Sequence, residues 1–245
     1  MSGRVDFMVV GAQKAGTTAL FEHLAQEPGL ALAPVKEVHF FDDETVNWAA
    51  PDYDLYHRHF PAPDGRLRGE ATPIYSYWPG SIERIAAYNP AARLILLLRD
   101  PVQRAWSHWK MEYARGAETE PFAWCVRQGR QRLFAAEPWG HHRVFSYVER
   151  GFYAEQVARI DALFPRDQLL ILTAEALRHA PAAALDQVRA FLGLAPGPPA
   201  TARIAHQGRD LDYGSELTSQ DIAHLRAVYA ADAERLAART GVRFG

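Results

Sequence analysis

The chain has 245 residues, 48% hydrophobic and 23% charged, with 27 basic against 29 acidic side chains and a formal charge of −2. That length supports one substantial core and is short for two, so a single domain over residues 1–245 is expected. The near balance of charge excludes a global field that would draw the chain to nucleic acid or to an anionic membrane, so any anion site must be local.

A lone cysteine, Cys125, excludes an internal disulfide framework, fits a reducing compartment and reads as a small core residue. The first residues carry no basic segment followed by a long apolar one. The longest aliphatic run, Leu94 to Leu98, is far short of the ~20 residues that span a bilayer. A cytoplasmic, unanchored protein without a membrane span is expected; oligomeric state is not legible.

The chain opens with an apolar strand, Val5 to Val10, that breaks into Gly11-Ala12-Gln13-Lys14-Ala15-Gly16-Thr17-Thr18. This reads as a strand, an anion-cradling loop and a helix N-terminus, where unpaired N–H groups and the positive end of the helix dipole point at one spot. The spacing of Gly11 and Gly16 matches a Walker loop, but Thr17 stands where the Walker lysine belongs and Lys14 lies inside the loop instead. A Walker lysine and hydroxyl neutralise a triphosphate with Mg²⁺. A lysine within the loop reaches a bridging oxygen beside a single phosphate, with Thr17 and Thr18 binding the other oxygens, a design suited to a monophosphate-like leaving group. The competing reading is one more strand-turn-helix with Lys14 solvated.

The helix runs from Thr17 to Gln26 and stops at Glu27-Pro28-Gly29, and a short strand covers Gly29 to Leu32. Val35 to Phe41 places Lys36, Glu37, His39 and then Asp42 at the lip of the sheet. Asn47 to Pro63, with Trp48, Tyr53, Tyr56 and Phe60, reads as an aromatic-rich helix filling core or forming a lid leg. Arg68 to Pro73 is a strand entering a turn, and Ser81 to Tyr88 a helix capped by Ser81. Arg93 to Leu98 is a buried parallel strand. Asp100 then caps a helix with Pro101 at its first position, running to about Arg115. Another helix follows Pro121, and Pro138 and Gly140 break the pattern. Tyr153 to Phe164 and Ala182 to Leu192 read as helices around a strand from Gln168 to Thr173. Thr218 to Thr240 is an amphipathic helix with Ile222, Leu225, Val228 and Leu236 on one face. Alternating strands and helices predict an α/β fold, a P-loop-like three-layer α/β/α with a central parallel sheet.

Ligands of such sheets bind beyond the carboxyl ends of the strands. Those ends deliver Lys14, then Lys36, Glu37, His39 and Asp42, then Glu70 and Thr72, then Arg99. Ser107 stands six residues after Pro101, roughly 9 Å along its helix. The planar fork of Arg99 and the hydroxyl of Ser107 suit a second phosphate; alternatively Arg99 pairs with Asp100 or Glu70. His141 and His142 lack a cysteine or carboxylate at ligand spacing and read as a solvated loop, so no metal is expected. Phe134 to Tyr147, with Trp139, is a second candidate lid segment.

The stretch Gln13 to Leu20, then Lys36-Glu37-Val38-His39-Phe40-Phe41, then Arg99-Asp100-Pro101 with Ser107, resembles the sulfotransferases that use 3′-phosphoadenylyl sulfate (PAPS). The likeness is to the heparan sulfate branch, particularly its glucosaminyl 3-O-sulfotransferases and their soluble bacterial relatives. Gly151 to Gln156 and Phe191 to Leu194 extend it over nearly the whole chain. The resemblance implies that Lys14, Ala15, Gly16, Thr17 and Thr18 hold the 5′-phosphosulfate, with Lys14 stabilising the leaving oxygen. It implies that Arg99 and Ser107 hold the 3′-phosphate and that the product is adenosine 3′,5′-bisphosphate. Glu37 is implied as the general base, with His39 and Asp42 orienting a hydroxyl or amine acceptor. Two departures stand out. Family members acting on heparan sulfate commonly carry a lysine where this chain has Ala71. They also carry a cysteine-closed loop near the C-terminal nucleotide contact, which one cysteine cannot form; His206 to Arg209 resembles the contact after that loop and makes Arg209 a cofactor ligand. A small-molecule, lipid or simple sugar acceptor is therefore expected. The alternatives are a P-loop kinase using ATP on a small molecule, or a nucleotide-binding module without chemistry.

Overall fold

The structure, a computed structural model, describes residues 3–136, 140–197 and 212–245. In chain order it runs β1 (Phe7–Gly11), α1 (Thr17–Leu24), β2 (Leu30–Leu32), α2 (Tyr53–His57), β3 (Leu67–Ala71), α3 (Ser81–Tyr88), β4 (Arg93–Leu98) and α4 (Pro101–Ala114). There follow α5 (Phe122–Cys125), α6 (Gln131–Phe134), α7 (Tyr153–Asp161), β5 (Leu169–Thr173), α8 (Ala174–His179), α9 (Pro181–Leu192) and α10 (Ser219–Thr240). The described residues fall into two compact units, one formed by those up to Leu98 and from Arg159 to Gly197, the other by those from Arg99 to Ala158 and from Asp212 onward.

The first unit holds the sheet. Its strands lie in the order β2-β3-β1-β4-β5, and every neighbouring pair is parallel. Composition follows position in the sheet. β1 is buried at all five positions and Leu94 to Leu98 of β4 are fully buried, as expected of interior strands covered on both faces, whereas edge strand β5 is buried only at Leu169 and Leu172 and half-buried elsewhere. Parallel pairing places the ends of β1, β2 and β3, and the segments that leave them, along one edge of the sheet. Gly11 ends β1 against the next turn of chain: a Cβ there would lie 2.3 Å from Ser76 Oγ, so only glycine lets the two segments meet. The aromatic stretch expected as core filler is that in this unit. Tyr56 of α2 lies with its ring centroid 4.9 Å from both Phe40 and Phe41, and Phe41 also packs on Tyr75 and Tyr88.

The second unit is helical, built on Val102, Ala105 and Trp109 of α4, Tyr147, and Leu225 and Tyr229 of α10. Cys125 is a core residue here, with its thiol donating to Glu118 Oε2 at 3.2 Å. Asp100 caps α4 by accepting from the Gln103 N–H at 2.9 Å, with Pro101 following, as expected. On α10, Leu225 and Leu236 are buried and Ile222 and Val228 are partly so, while Tyr229 and Asp232 also face inward. One expected cap is corrected: α3 is preceded by Gly80 in the left-handed region, and the Ser81 hydroxyl donates to Phe41 O at 3.1 Å, a tertiary contact that outcompetes local capping.

Candidate active site

The first half of the site is the loop between β1 and α1. Gly16 sits at φ 97° as the residue before α1, a conformation glycine adopts without the steric cost a Cβ brings. It supplies no side-chain cap, and the first turn of α1 contains no acidic residue. The helix thus brings no capping side chain or carboxylate of its own to the N–H groups of that turn, which fits an incoming anion. Ala15 and Thr17 are buried, Thr18 and Lys14 half-buried and Gly16 exposed. Lys14 also has a left-handed backbone, φ 71°, the kind of conformation that tertiary structure must impose on a side-chain-bearing residue.

The second half is the segment after β2. The Glu37 N–H donates to Ala71 O at 3.1 Å, tying it to the end of β3. Glu37 and His39 share the backbone signature of Lys14, with φ 69° and 57°. Both oxygens of Glu37 are engaged: Lys36 Nζ lies 2.6 Å from Oε1, and His39 Nε2 lies 3.3 Å from Oε2. The other ring nitrogen, Nδ1, is 2.9 Å from the carboxylate of Asp42, which is fully buried. Burial alone would push the Glu37 carboxyl up, but the hydrogen bond from His39 and the charge and hydrogen bond of Lys36 outweigh it and hold the group at about 2. The bonds to Asp42 and then to Glu37 outweigh burial at His39 and raise the imidazole to about 9. At neutral pH His39 is thus an imidazolium bridging two carboxylates. Of the two candidate acid–base groups, Glu37 is the one that arrives deprotonated.

Beneath this row lies a buried carboxyl that sequence reasoning named at a strand end but gave no role. Glu70 is 1% exposed and accepts from Tyr56 Oη at 2.5 Å, from Thr72 Oγ1 at 2.6 Å and from Tyr75 Oη at 3.3 Å. Burial pushes it up to about 7 against those three donors, and the charge of Asp42 adds to the rise. Its signal in the sequence is slight: a carboxylate two residues before Thr72-Pro73 near the end of a short strand.

Arg99 and Ser107 belong to the second unit and are both half-buried. The Arg99 carbonyl accepts from Tyr153 Oη at 2.9 Å. Of the carboxylates that the alternative reading offered to Arg99, Asp100 caps α4 and pairs with Arg226 at 2.6 Å, and Glu70 serves the hydroxyls above. Arg209 and Trp139 lie outside the described residues. Among the described residues no three His, Cys, Asp or Glu side chains gather as a metal set, and no helix is long and apolar enough to cross a membrane.

Residues 4–207 match the family model described as Sulfotransferase domain. The chain is 31% identical over 187 residues to human heparan sulfate glucosamine 3-O-sulfotransferase 3B1, covering 76% of this chain and 45% of that protein. It is also 31% identical over 202 residues to human bifunctional heparan sulfate N-deacetylase/N-sulfotransferase 3, covering 78% of this chain and 22% of that one. It therefore spans less than half the length of these curated relatives. Among solved structures, a sulfotransferase from Alicyclobacillus acidocaldarius superposes with a TM-score of 0.82 at 28% identity, over 98% of this chain and 97% of the other.

Proposed function

We propose that this chain, which belongs to the sulfotransferase family, moves a sulfuryl group from PAPS to a hydroxyl or amine of a small-molecule, lipid or sugar acceptor. The observation that carries the reading is the uncapped, acid-free N-terminus of α1 behind the Gly11 to Gly16 loop, in the same unit as an ionised Glu37. When bound, PAPS supplies the activated sulfuryl group. Residues Lys14 to Thr18 hold its 5′-phosphosulfate, and the Lys14 ammonium faces the negative charge that grows on the leaving oxygen. Arg99 and Ser107 take the 3′-phosphate, and Arg209 is a further nucleotide ligand. Glu37 accepts the acceptor's proton, which requires that one of its oxygens be released by Lys36 or His39 when the acceptor arrives. His39 orients the acceptor, and Asp42 acts through His39 because it is fully buried.

The match over residues 4–207 includes residues of both units, which supports treating the chain as one sulfotransferase domain. The relatives named for heparan sulfate prompt a polyanionic glycan as the alternative acceptor. A formal charge of −2 and the fully buried Ala71, where such enzymes commonly carry lysine, favour a less charged one. The single buried Cys125 supports a reducing compartment such as the cytoplasm. The test is calorimetric titration with adenosine 3′,5′-bisphosphate, AMP and ATP, with and without Mg²⁺. Tight, metal-independent binding of the bisphosphate with much weaker binding of the others is expected; preferential binding of ATP with Mg²⁺ would return the chain to the kinase reading.

A further inference from the structure

The turn that follows β3 touches both halves of the site through neighbouring residues. The Thr72 and Ser76 N–H groups donate to Val9 O and Val10 O at 3.1 and 2.8 Å, and Ser76 is the residue against which Gly11 packs, so this turn sits directly under the start of the phosphate loop. Next to Ser76, the Tyr75 hydroxyl accepts from the Phe40 N–H at 3.1 Å and from the Phe41 N–H at 3.4 Å, the two amides between His39 and Asp42. Tyr75 is fully buried, and its own proton points to Glu70, at 3.3 Å from Oε1 and 3.5 Å from Oε2.

A phenol oxygen that accepts two backbone amides fixes the course of the chain it holds, provided its proton is directed elsewhere. Glu70 directs it. Its carboxyl is locked in turn by the hydroxyls of Tyr56 and Thr72. The segment held this way contains His39, whose left-handed backbone needs an outside constraint, and it ends on Asp42, which grips the imidazole.

We propose that Tyr75, oriented by Glu70, is a positioning residue for the acceptor side of the site: its hydroxyl pins the Phe40 and Phe41 amides and so holds His39 between Glu37 and Asp42. This deepens the sulfotransferase reading and assigns Glu70 and Tyr75 work on the acceptor loop, not on the nucleotide. Removing the hydroxyl should loosen His39 while leaving the α1 loop intact, because the turn holds β1 through separate bonds, from Thr72 N–H to Val9 O and from Ser76 N–H to Val10 O.

The experiment compares wild-type protein with Tyr75→Phe, which keeps the ring packed on Phe41 and deletes only the hydroxyl. Two readouts need no acceptor: the NMR titration of the His39 ring and calorimetric binding of adenosine 3′,5′-bisphosphate. In wild-type protein a His39 titration near 9 is expected, from the bonds to Asp42 and Glu37. In Tyr75→Phe it should fall toward the ordinary value of about 6.5 as the bonds to Asp42 and Glu37 weaken, with bisphosphate affinity within about twofold, well under 1 kcal/mol. Glu70→Gln, which keeps an acceptor oxygen for the hydroxyls, should retain the raised His39 titration, and Glu70→Leu should lose it. A His39 titration unchanged in both Tyr75→Phe and Glu70→Leu overturns the inference, as does a parallel loss of bisphosphate binding, which would mark general collapse. Failure of wild-type protein to bind the bisphosphate would instead remove the sulfotransferase reading, leaving the His39 comparison to judge Tyr75 independently.

Discussion

Glu70→Gln makes a stability prediction whose sign is set by the burial of one carboxyl. The folded protein raises Glu70 from the ordinary 4.5 to about 7, so between those values the folded state keeps a proton that the unfolded chain has released. By linkage, stability then falls as pH rises through that window and levels off above about 7. At roughly 1.4 kcal/mol per pH unit the loss amounts to about 3 kcal/mol. A glutamine never ionises, so the variant escapes that loss, while its carbonyl still accepts from the Tyr56 hydroxyl. The amide NH₂ facing hydroxyl donors imposes a cost that does not vary with pH. Thermal unfolding of both proteins from about pH 5 to about pH 8 should show the difference moving in favour of Glu70→Gln by about 3 kcal/mol, or roughly 6–12 °C in Tm for a domain of this size. The raised His39 works separately: its contribution is fully present below the ordinary 6.5 and is lost as pH rises through about 9, in both proteins alike, so it cancels in the difference. Parallel curves, or a variant that loses ground as pH rises, would refute the reasoning.

Three further outcomes test the site itself. Glu37→Gln should retain bisphosphate binding and lower transfer at least 100-fold, in the range of about 10²–10⁴ expected for loss of a general base; turnover near wild type would remove that role. For Arg99→Ala, competition binding should show a far larger loss for the 3′-phosphorylated nucleotide than for its 3′-hydroxyl analogue, and equal losses would sink the 3′-phosphate assignment. A Cβ in Gly16→Ala makes only an ordinary contact, with Leu97 Cδ2 at 3.5 Å, so its penalty is conformational: about 1–2 kcal/mol for forcing a Cβ into the left-handed region at φ 97°. Calorimetry should show weaker bisphosphate binding and calorimetric melting a Tm lower by roughly 2–8 °C; an unchanged affinity would mean that the loop's shape does not serve the phosphate.

What the sequence by itself determined is mostly what local rules control. The strand at Arg93 to Leu98, the Asp100-Pro101 start of α4, the amphipathic run of α10 and the turn from β1 into α1 each follow from hydrophobic patterning, capping side chains and glycine within a few residues of each other. The motifs around Lys14, Glu37 and Arg99 point to the family for the same reason, since each is contiguous. Only the tertiary structure decided the state of the groups. That Glu37 is held down at about 2 and His39 raised to about 9 depends on His39 and Lys36 meeting the Glu37 carboxylate and on Asp42 lying 2.9 Å from the His39 ring, along a backbone turned left-handed at two positions. No local preference dictates that turn; it is imposed from outside. Its anchor is Tyr75, thirty-five residues from Phe40 in the chain, which reaches the loop because parallel pairing aligns the ends of β1, β2 and β3. Glu70 is the clearest case. As a letter it is one carboxylate on a short strand, and its elevated proton affinity arises because folding removes water from it and sets the charge of Asp42 nearby, which together outweigh the three hydroxyls that favour its charged form.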